Sequence, residues 1–273
     1  MQRVYTFLVL LLAVSAVSCG EFEKLKKHGT FDAKYAKALE YYEKKEYVRA
    51  QQLFEDLSSS VNVGSEQGQT ILYYQAMTNY QLNDYIMAGY QFRNYFRRYP
   101  LSEKAEECAY MSAYCHFLNS PPYSLDQTDS RDAITEFTFF VKQFPNSKYV
   151  PECNKMIDKL YEKLERKSYE IAKQYYRTED YKASIAAFQN LFREFPDSKH
   201  REEGNFLIVK CNYLLTVNSV AAKADERVKT TLEACNKFKS AFRDSRYEQD
   251  VDELYKSTMK IKERLDRDKK ANN

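Results

Sequence analysis

The stretch Ala88-Gly89-Tyr90-Gln91-Phe92, followed by Tyr99-Pro100-Leu101-Ser102, recurs along the chain. In three copies an aromatic residue lies four positions after a small residue, and a proline lies eight positions further on: 88, 92, 100; 133, 137, 145; 184, 188, 196. A small residue, an aromatic residue one turn later and a proline that ends the helix are typical of the second helix of a tetratricopeptide unit. Ala50 and Phe54 form an earlier copy without the proline, and an eroded fifth copy ends at 242–246 with arginine in the proline position.

The first helices of the pairs align through an alanine. A tyrosine precedes each alanine by three positions and an aromatic residue follows it by four: Tyr35, Ala38, Tyr42; Tyr73, Ala76, Tyr80; Tyr110, Ala113, Phe117; Tyr169, Ala172, Tyr176. This spacing keeps both aromatic residues on one helix face, while the alanine lets the partner helix approach. The small residue of the second helix follows that alanine by 12 positions in repeats one, two and four, and Tyr47, Tyr85 and Tyr181 mark the start of the second helix there. The sequence therefore predicts an all-α fold, an α-solenoid of about five tetratricopeptide-like helix pairs with a C-terminal capping helix.

Composition agrees with a helical repeat protein. Only 6 glycines and 6 prolines occur in 273 residues, which argues against a fold rich in tight turns. A net charge of +3 does not suggest a nucleic-acid partner. The 24 tyrosines and 17 phenylalanines, with no tryptophan, suit helix seams and also a groove that binds a ligand through both apolar contact and hydrogen bonds.

The N-terminus resembles a lipoprotein signal. A short positive start precedes an apolar run, Val4 to Val17, that is too short to cross a bilayer and ends in Ser18-Cys19-Gly20. We expect residues 1–18 to be a signal peptide and Cys19 to carry the lipid, with residues 19–30 as a lipidated tether. Glycine after the cysteine favours the outer membrane, periplasmic face. An ordinary signal peptide with an incidental cysteine remains the alternative.

The remaining chain divides by its repeats. Residues 31–150 are expected to hold repeats 1–3 and residues 151–246 repeats 4–5, followed by a capping helix and frayed tail at 247–273. Repeat three has an insertion, Asn119 to Thr128, whose Pro-Pro pair predicts a loop that either contacts a partner or serves as a spacer. A long helix is predicted from Pro151 to Arg177, and a linker from Asn218 to Arg227.

No pattern in the chain predicts catalysis. Three histidines lack metal-ligand spacing, and there is no nucleophile elbow or phosphate-binding glycine loop. The five cysteines after Cys19 are interpreted as small apolar residues in helix seams, with a Cys211–Cys235 bridge left open. We expect no enzyme activity, no metal and no cofactor besides the covalent lipid on Cys19.

The chain resembles the BamD family, the lipoproteins of the outer-membrane β-barrel assembly machine. The resemblance lies in 169–176 leading to Tyr181, in 41–47, in the ends of the second helices, and in a 121–128 loop like that of Bacteroidetes-like members. It implies a non-enzymatic scaffold that binds the periplasmic domains of the barrel-forming subunit through its C-terminal repeats. Its N-terminal repeats would receive unfolded outer-membrane proteins.

Such a substrate would occupy a groove on the first repeats. We expect an aromatic-ended peptide to contact a tyrosine-lined surface, with Arg93, Arg97 and Arg98 on or near the second helix of repeat two to meet a carboxylate. The predicted groove residues are Tyr35, Tyr42, Tyr73, Met77, Tyr80, Arg93 and Arg97.

Two other functions stay open from the sequence. One is a periplasmic tetratricopeptide coordinator of envelope constriction or of the Tol-linked type. The other is a glycan-capturing lipoprotein, although the chain has no tryptophan to stack on sugar.

Overall fold

The computed structural model describes residues 20–62 and 64–271, and this part of the chain contains helices and no strand. The helices are α1 (20–28), α2 (Phe31–Glu43), α3 (Tyr47–Ser60), α4 (Glu66–Gln81), α5 (Tyr85–Arg98), α6 (Ala105–Asn119), α7 (Thr128–Gln143), α8 (Val150–Arg177), α9 (Tyr181–Glu194), α10 (Arg201–Val217), α11 (Ala221–Ala241) and α12 (Glu248–Ala271). The predicted all-α fold class is confirmed. Cys19 and the expected signal peptide lie outside the described residues.

The described residues form two compact units, one ending at Leu160 and the other beginning at Tyr161, with the boundary inside α8. In the first unit the pairs are α2 with α3, α4 with α5, and α6 with α7, and each pair packs on the next. In the second unit α9 packs on α10, α10 on α11, and α11 on α12. No helix among the described residues is long and apolar enough to span a membrane.

The positions singled out in the repeats form the cores of the pairs. Eight small residues of the paired helices have no exposed surface: Ala38, Ala50, Ala76, Ala88, Ala113, Ala133, Ala172 and Ser184. The aromatic residues of the second helices are equally buried: Phe54, Phe92, Phe137 and Phe188. The Ser184 hydroxyl donates to the Ala172 carbonyl at 3.0 Å, which satisfies the one polar group in this set.

The fifth repeat keeps the spacing with other residue types. Thr231 and Cys235 are fully buried at positions that precede Arg243 as Ala88 and Phe92 precede Pro100. Sequence reasoning missed these two positions because neither residue has the expected chemistry, although their spacing is unchanged.

The turns between paired helices also recur. Lys45, Asn83 and Glu179 have φ values of 60, 62 and 63°, in the left-handed region. Two residues after each of them a tyrosine begins the second helix of the pair: Tyr47, Tyr85 and Tyr181, as the sequence predicted. One left-handed residue reverses the chain tightly enough to bring the two helices together.

Three segments differ from expectation. Residues 20–28, expected to be a tether, are helical, and the buried Phe22 packs in the first-repeat core. The expected linker 218–227 is shorter, because α11 already begins at Ala221. The expected frayed tail is still helical up to residue 271.

The insertion in repeat three is an ordered loop. Gln127 is buried, and its amide Nε2 donates to the carbonyls of Pro122, Leu125 and Asp126 at 2.9–3.1 Å. Its Oε1 accepts from Ser130 Oγ at 2.7 Å. One buried side chain therefore ties residues 122–126 of the insertion together.

A contact that we call the clasp ties the end of a pair back to its first helix. After the second helix, a serine hydroxyl donates to a glutamate of the first helix. Two residues later, an aromatic ring stacks on an aromatic ring of the same first helix. Clasps occur as Ser147 and Tyr149 on Glu106 and Tyr110, as Ser198 and His200 on Glu165 and Tyr169, and as Ser245 and Tyr247 on Glu202 and Phe206.

We predict that Phe188→Ala lowers the free energy of unfolding by about 3–5 kcal/mol, since it removes a fully buried ring from a pair core. Tyr90→Ala is the control, because Tyr90 is 63% exposed, and it should change stability by less than about 0.5 kcal/mol. Urea unfolding followed by circular dichroism measures both. Equal effects would contradict the repeat alignment.

Candidate functional site

A cleft of about 930 Å³ lies beside α4 and α5 in the second repeat, under the loop 99–104. We call it the repeat-two cleft. Five tyrosines line it: Tyr42, Tyr73, Tyr74, Tyr95 and Tyr99. Four charged side chains do so as well: Glu66, Arg98, Glu103 and Lys104. A concave surface with large aromatic rings and a few polar groups suits an extended peptide.

The tyrosines form a connected wall. The ring centroids of Tyr42 and Tyr74 lie 4.9 Å apart, and those of Tyr73 and Tyr74 5.4 Å apart. Tyr73 also meets Tyr95 at 6.1 Å, and Tyr95 meets Tyr99 at 5.1 Å. These pairs are edge-to-face contacts, the favourable geometry for aromatic rings. The wall is thus held in place by its own packing before any ligand arrives.

Tyr73 stands at the centre of this wall. Its hydroxyl donates to Glu107 Oε1 on α6 at 2.9 Å. Burial and the neighbouring Glu107 carboxylate raise the pKa of Tyr73 far above its ordinary value. Burial likewise raises the pKa of Tyr42 to about 12. Both phenols are therefore neutral at physiological pH and offer a ligand apolar ring surface without negative charge.

The cations at the cleft differ in their surroundings. The Lys104 ammonium lies 5.0 Å from the Tyr73 ring centroid and forms an ion pair with Glu107 at 3.0 Å. Its hydrogen bond to Glu107 raises the pKa of Lys104. Arg98, in the last turn of α5, is exposed. Within the described residues it makes no side-chain hydrogen bond or ion pair, so its guanidinium is available to a ligand.

The structure brings together only part of the predicted groove. Tyr42 and Tyr73 line the repeat-two cleft, whereas Tyr35 packs against the first-repeat core. Met77 and Tyr80 pack on the second-repeat core, where the Tyr80 ring meets Tyr85 at 5.8 Å. These two side chains contribute to helix packing, because the neighbouring helices partly cover that face of α4.

Of the three predicted arginines, Arg98 lines the repeat-two cleft and the other two lie elsewhere. Arg93 forms an ion pair with Glu136 of α7 and lies 3.5 Å from His116, so it ties two repeats together. Arg97 lines a second cleft of about 600 Å³ with Tyr90 and Asn94. Neither arginine lines the repeat-two cleft.

Sequence reasoning missed several residues of the cleft. Tyr74 follows Tyr73 directly, and Tyr95, Tyr99 and Leu101 lie near the proline stop of the second helix. The sequence feature that could have identified these residues is the helix-ending proline, because after Pro100 the chain must turn back over the α4–α5 pair. Leu101 is 99% exposed, which marks it as an apolar contact point at the rim.

The five cysteines after Cys19 are buried, protonated thiols that form no disulfide bond. Cys108, Cys115, Cys153, Cys211 and Cys235 are buried and free, so the Cys211–Cys235 bridge is not formed. Burial raises the pKa of Cys115 to about 12 and those of Cys153, Cys211 and Cys235 to about 11, which keeps these thiols protonated at neutral pH. No cluster of potential metal ligands occurs in 20–62 and 64–271.

Comparison with known proteins places these features in a family. A family model described as "Outer membrane lipoprotein" (YfiO) matches residues 28–228. A relative in Caulobacter vibrioides is 23% identical over 145 residues, covering 53% of this chain and 48% of the relative, so the chain spans about half the length of that protein. A Haemophilus influenzae relative is 21% identical over 220 residues, covering 76% of this chain and 83% of the relative. A Helicobacter pylori relative is 23% identical over 155 residues, covering 54% of this chain and 68% of the relative.

All three relatives carry the name outer membrane protein assembly factor BamD, so the resemblance drawn from the sequence is confirmed. The family model spans well over half of the chain and includes the whole repeat-two cleft. This protein belongs to the YfiO family of outer membrane lipoproteins.

Proposed function

We propose that this protein is a non-enzymatic scaffold for the assembly of β-barrel proteins into the outer membrane. It is held at the periplasmic face by lipid on Cys19. It binds the periplasmic domains of the barrel-forming subunit and receives unfolded barrel proteins. The family match over residues 28–228 carries the proposal, since three similar proteins are named for outer membrane protein assembly.

The repeat-two cleft supports the substrate part of this function. An unfolded barrel protein offers extended segments with alternating side chains and frequent aromatic residues. Neutral tyrosine rings can bury such aromatic side chains, and the Arg98 guanidinium can pair with a carboxylate at the rim. A site of this kind binds many sequences, because it recognises ring surface more than any single hydrogen-bond pattern.

A separate surface suits the barrel-forming subunit. In the second unit the turn between α10 and α11 exposes two valines, Val217 at 52% and Val220 at 64%. They are the most exposed large apolar side chains among the described residues of that unit. We propose that the barrel-forming subunit contacts this turn.

Cys19→Ala should release the protein from the membrane fraction, because no acyl chain can then be attached. The measurement is immunoblotting of membrane and soluble fractions after a carbonate wash. Cys235→Ala is the control and should stay with the membrane, since Cys235 is a buried core residue. Retention of the Cys19 variant would contradict the anchor.

Leu101→Asp should weaken binding of a peptide that copies the aromatic-ended C-terminal strand of an outer-membrane barrel. A leucine that becomes buried on binding contributes about 1.5–3 kcal/mol, so the Kd should rise about tenfold or more. Fluorescence anisotropy with the labelled peptide measures this. Leu125→Asp, at another exposed loop leucine, is the control and should bind as the unmodified protein does. Equal affinities for both variants would place substrate binding elsewhere.

Val220→Asp should reduce recovery of the barrel-forming subunit when the tagged protein is purified from detergent-solubilised outer membranes. A buried carboxylate without a partner disfavours the contact. Ile86→Asp, at a residue 76% exposed in the first unit, is the control. Quantitative mass spectrometry reads the result. Recovery of envelope-constriction proteins or of glycan in place of a barrel protein would overturn the proposed function.

A further inference from the structure

The three clasps share one geometry. Tyr149 stacks on Tyr110 with ring centroids 4.2 Å apart and planes at 11°. The other two stacks have centroid distances of 3.8 and 4.2 Å and planes at 11 and 12°. Rings this close and this parallel cover each other's faces. Each clasp thus closes the open face of the first-helix aromatic residue.

The polar part of the clasp is equally constant. The serine Oγ donates to the first-helix glutamate at 2.6 Å in one clasp and 2.7 Å in the other two. The backbone N–H of the stacking residue donates to the same serine Oγ at 3.0–3.1 Å. The three clasp sequences are Ser147-Lys148-Tyr149, Ser198-Lys199-His200 and Ser245-Arg246-Tyr247. A serine, a basic residue and an aromatic residue therefore form the closing unit.

Repeat two keeps the turn and the serine of a clasp but has neither its aromatic ring nor its first-helix glutamate. The corresponding sequence is Ser102-Glu103-Lys104, and the Lys104 N–H still lies 3.3 Å from Ser102 Oγ. Lysine, however, stands where the others have an aromatic ring. Gln69 stands four residues before Tyr73, where the others have a glutamate before their first-helix aromatic residue. Ser102 Oγ instead shares a hydrogen bond with the Tyr95 hydroxyl at 2.8 Å.

The open clasp coincides with the repeat-two cleft. Gln69, Tyr73, Ser102 and Lys104 all line it. The ammonium of Lys104, an exposed side chain, lies over the Tyr73 ring in the place of the stacking ring of the other clasps. The Gln69 side-chain amide makes no hydrogen bond within the described residues and remains available in the cleft. The site that an aromatic ring occupies in the other repeats is therefore accessible from outside.

Charge indicates what would fill it. Glu103 stands where the clasps carry lysine or arginine, and Glu66 is a second carboxylate at the same cleft. Neither side chain forms an ion pair in the part of the chain that the structure describes. Arg98 is the one cation lining the cleft that has no ion pair among the described residues. The unpaired groups are thus two carboxylates and one guanidinium, and this excess of negative charge favours a ligand with a positive side chain next to its ring.

We propose that the repeat-two cleft is an open clasp that binds a peptide segment in which a basic residue directly precedes an aromatic residue. The aromatic ring of the ligand stacks on Tyr73 as Tyr149 stacks on Tyr110. The basic residue faces Glu66 and Glu103. This names the substrate feature recognised at the site and rests on the proposed function.

The test introduces the missing clasp groups into the chain itself. Gln69→Glu with Lys104→Tyr supplies the two missing groups, so the variant should close its own cleft. The matched control makes the same exchanges at the end of α7, Gln143→Glu with Lys142→Tyr. The probe is a labelled peptide that copies residues 144–149, Phe-Pro-Asn-Ser-Lys-Tyr, and its affinity is measured by fluorescence anisotropy.

We expect the closed-clasp variant to bind this peptide at least tenfold more weakly and to have a higher Tm, while the control matches the unmodified protein. Exchanging the terminal tyrosine of the peptide for alanine, or its lysine for glutamate, should also weaken binding. Unchanged binding by the closed-clasp variant would overturn the proposal. If the unmodified protein self-associates and the closed-clasp variant does not, while both bind the peptide equally, the occupant of the cleft is a second copy of the chain. That result would also overturn the proposal.

Lys104→Ala provides an independent test should the closed-clasp variant fail to fold. It frees the Tyr73 face and should tighten peptide binding several-fold, so unchanged or weaker binding would contradict the open clasp. A barrel-derived peptide separates the two hypotheses. If it binds the unmodified and closed-clasp proteins equally, the open clasp is wrong and the proposed function stands. If the clasp peptide behaves as expected and no barrel peptide binds, the proposed function is wrong and the open clasp stands.

Discussion

The close approach of two helices at a small residue is the constraint on which the rest of this structure depends. Ala76 and Ala88 have no exposed surface, and the backbone of Gly89 comes so near α6 that an added Cβ would lie 3.1 Å from Cys115 Cβ. A larger side chain at these positions would separate the helices and uncover the phenylalanine one turn later. Because each pair packs only on its neighbours, this local contact must be made again in every repeat.

Tyrosine is frequent because the seams between repeats are partly exposed to solvent. The Tyr73 hydroxyl donates to Glu107 on the next first helix, and burial, together with Glu152 and Glu203 on later first helices, raises the pKa of Tyr110 and Tyr169. Each ring fills the seam near a carboxylate at its edge, and the Tyr73 hydroxyl satisfies that carboxylate. Phenylalanine could fill the same volume but would leave the glutamate without this donor. A tyrosine-rich composition is thus first a property of the repeat, and a binding surface arises only where a ring face stays uncovered.

The repeat-two cleft shows how a periodic fold can acquire a site. Where the clasp is complete, a ring from the chain itself covers the first-helix aromatic residue. In repeat two, Lys104 replaces that ring, and the turn remains while the cover is lost. Gln69 and Lys104 replace the glutamate and the aromatic residue of the other clasps, while the turn of the backbone is kept. These two replacements leave a cleft where the other repeats have a covered ring. Irregularity within a regular array is therefore a guide to function that needs no catalytic motif.

The sequence by itself determined the fold class, the pairing of helices and the starts of the second helices. Spacings of four, eight and twelve residues correspond directly to helix turns, so periodicity alone was enough to assign Ala88, Phe92 and Tyr85 to their places in the repeat. The order of 20–28 was not predictable in this way, because Phe22 is buried only through packing against a distant helix.

The site was determined by the tertiary structure. Tyr42 and Tyr73 were predicted and do line the cleft, but Tyr35, Met77 and Tyr80 share their periodicity and are used in seams. Periodicity states which face of a helix a residue occupies, not what covers that face. What covers it depends on loops such as 99–104 and on contacts between residues far apart in sequence, which no local spacing contains.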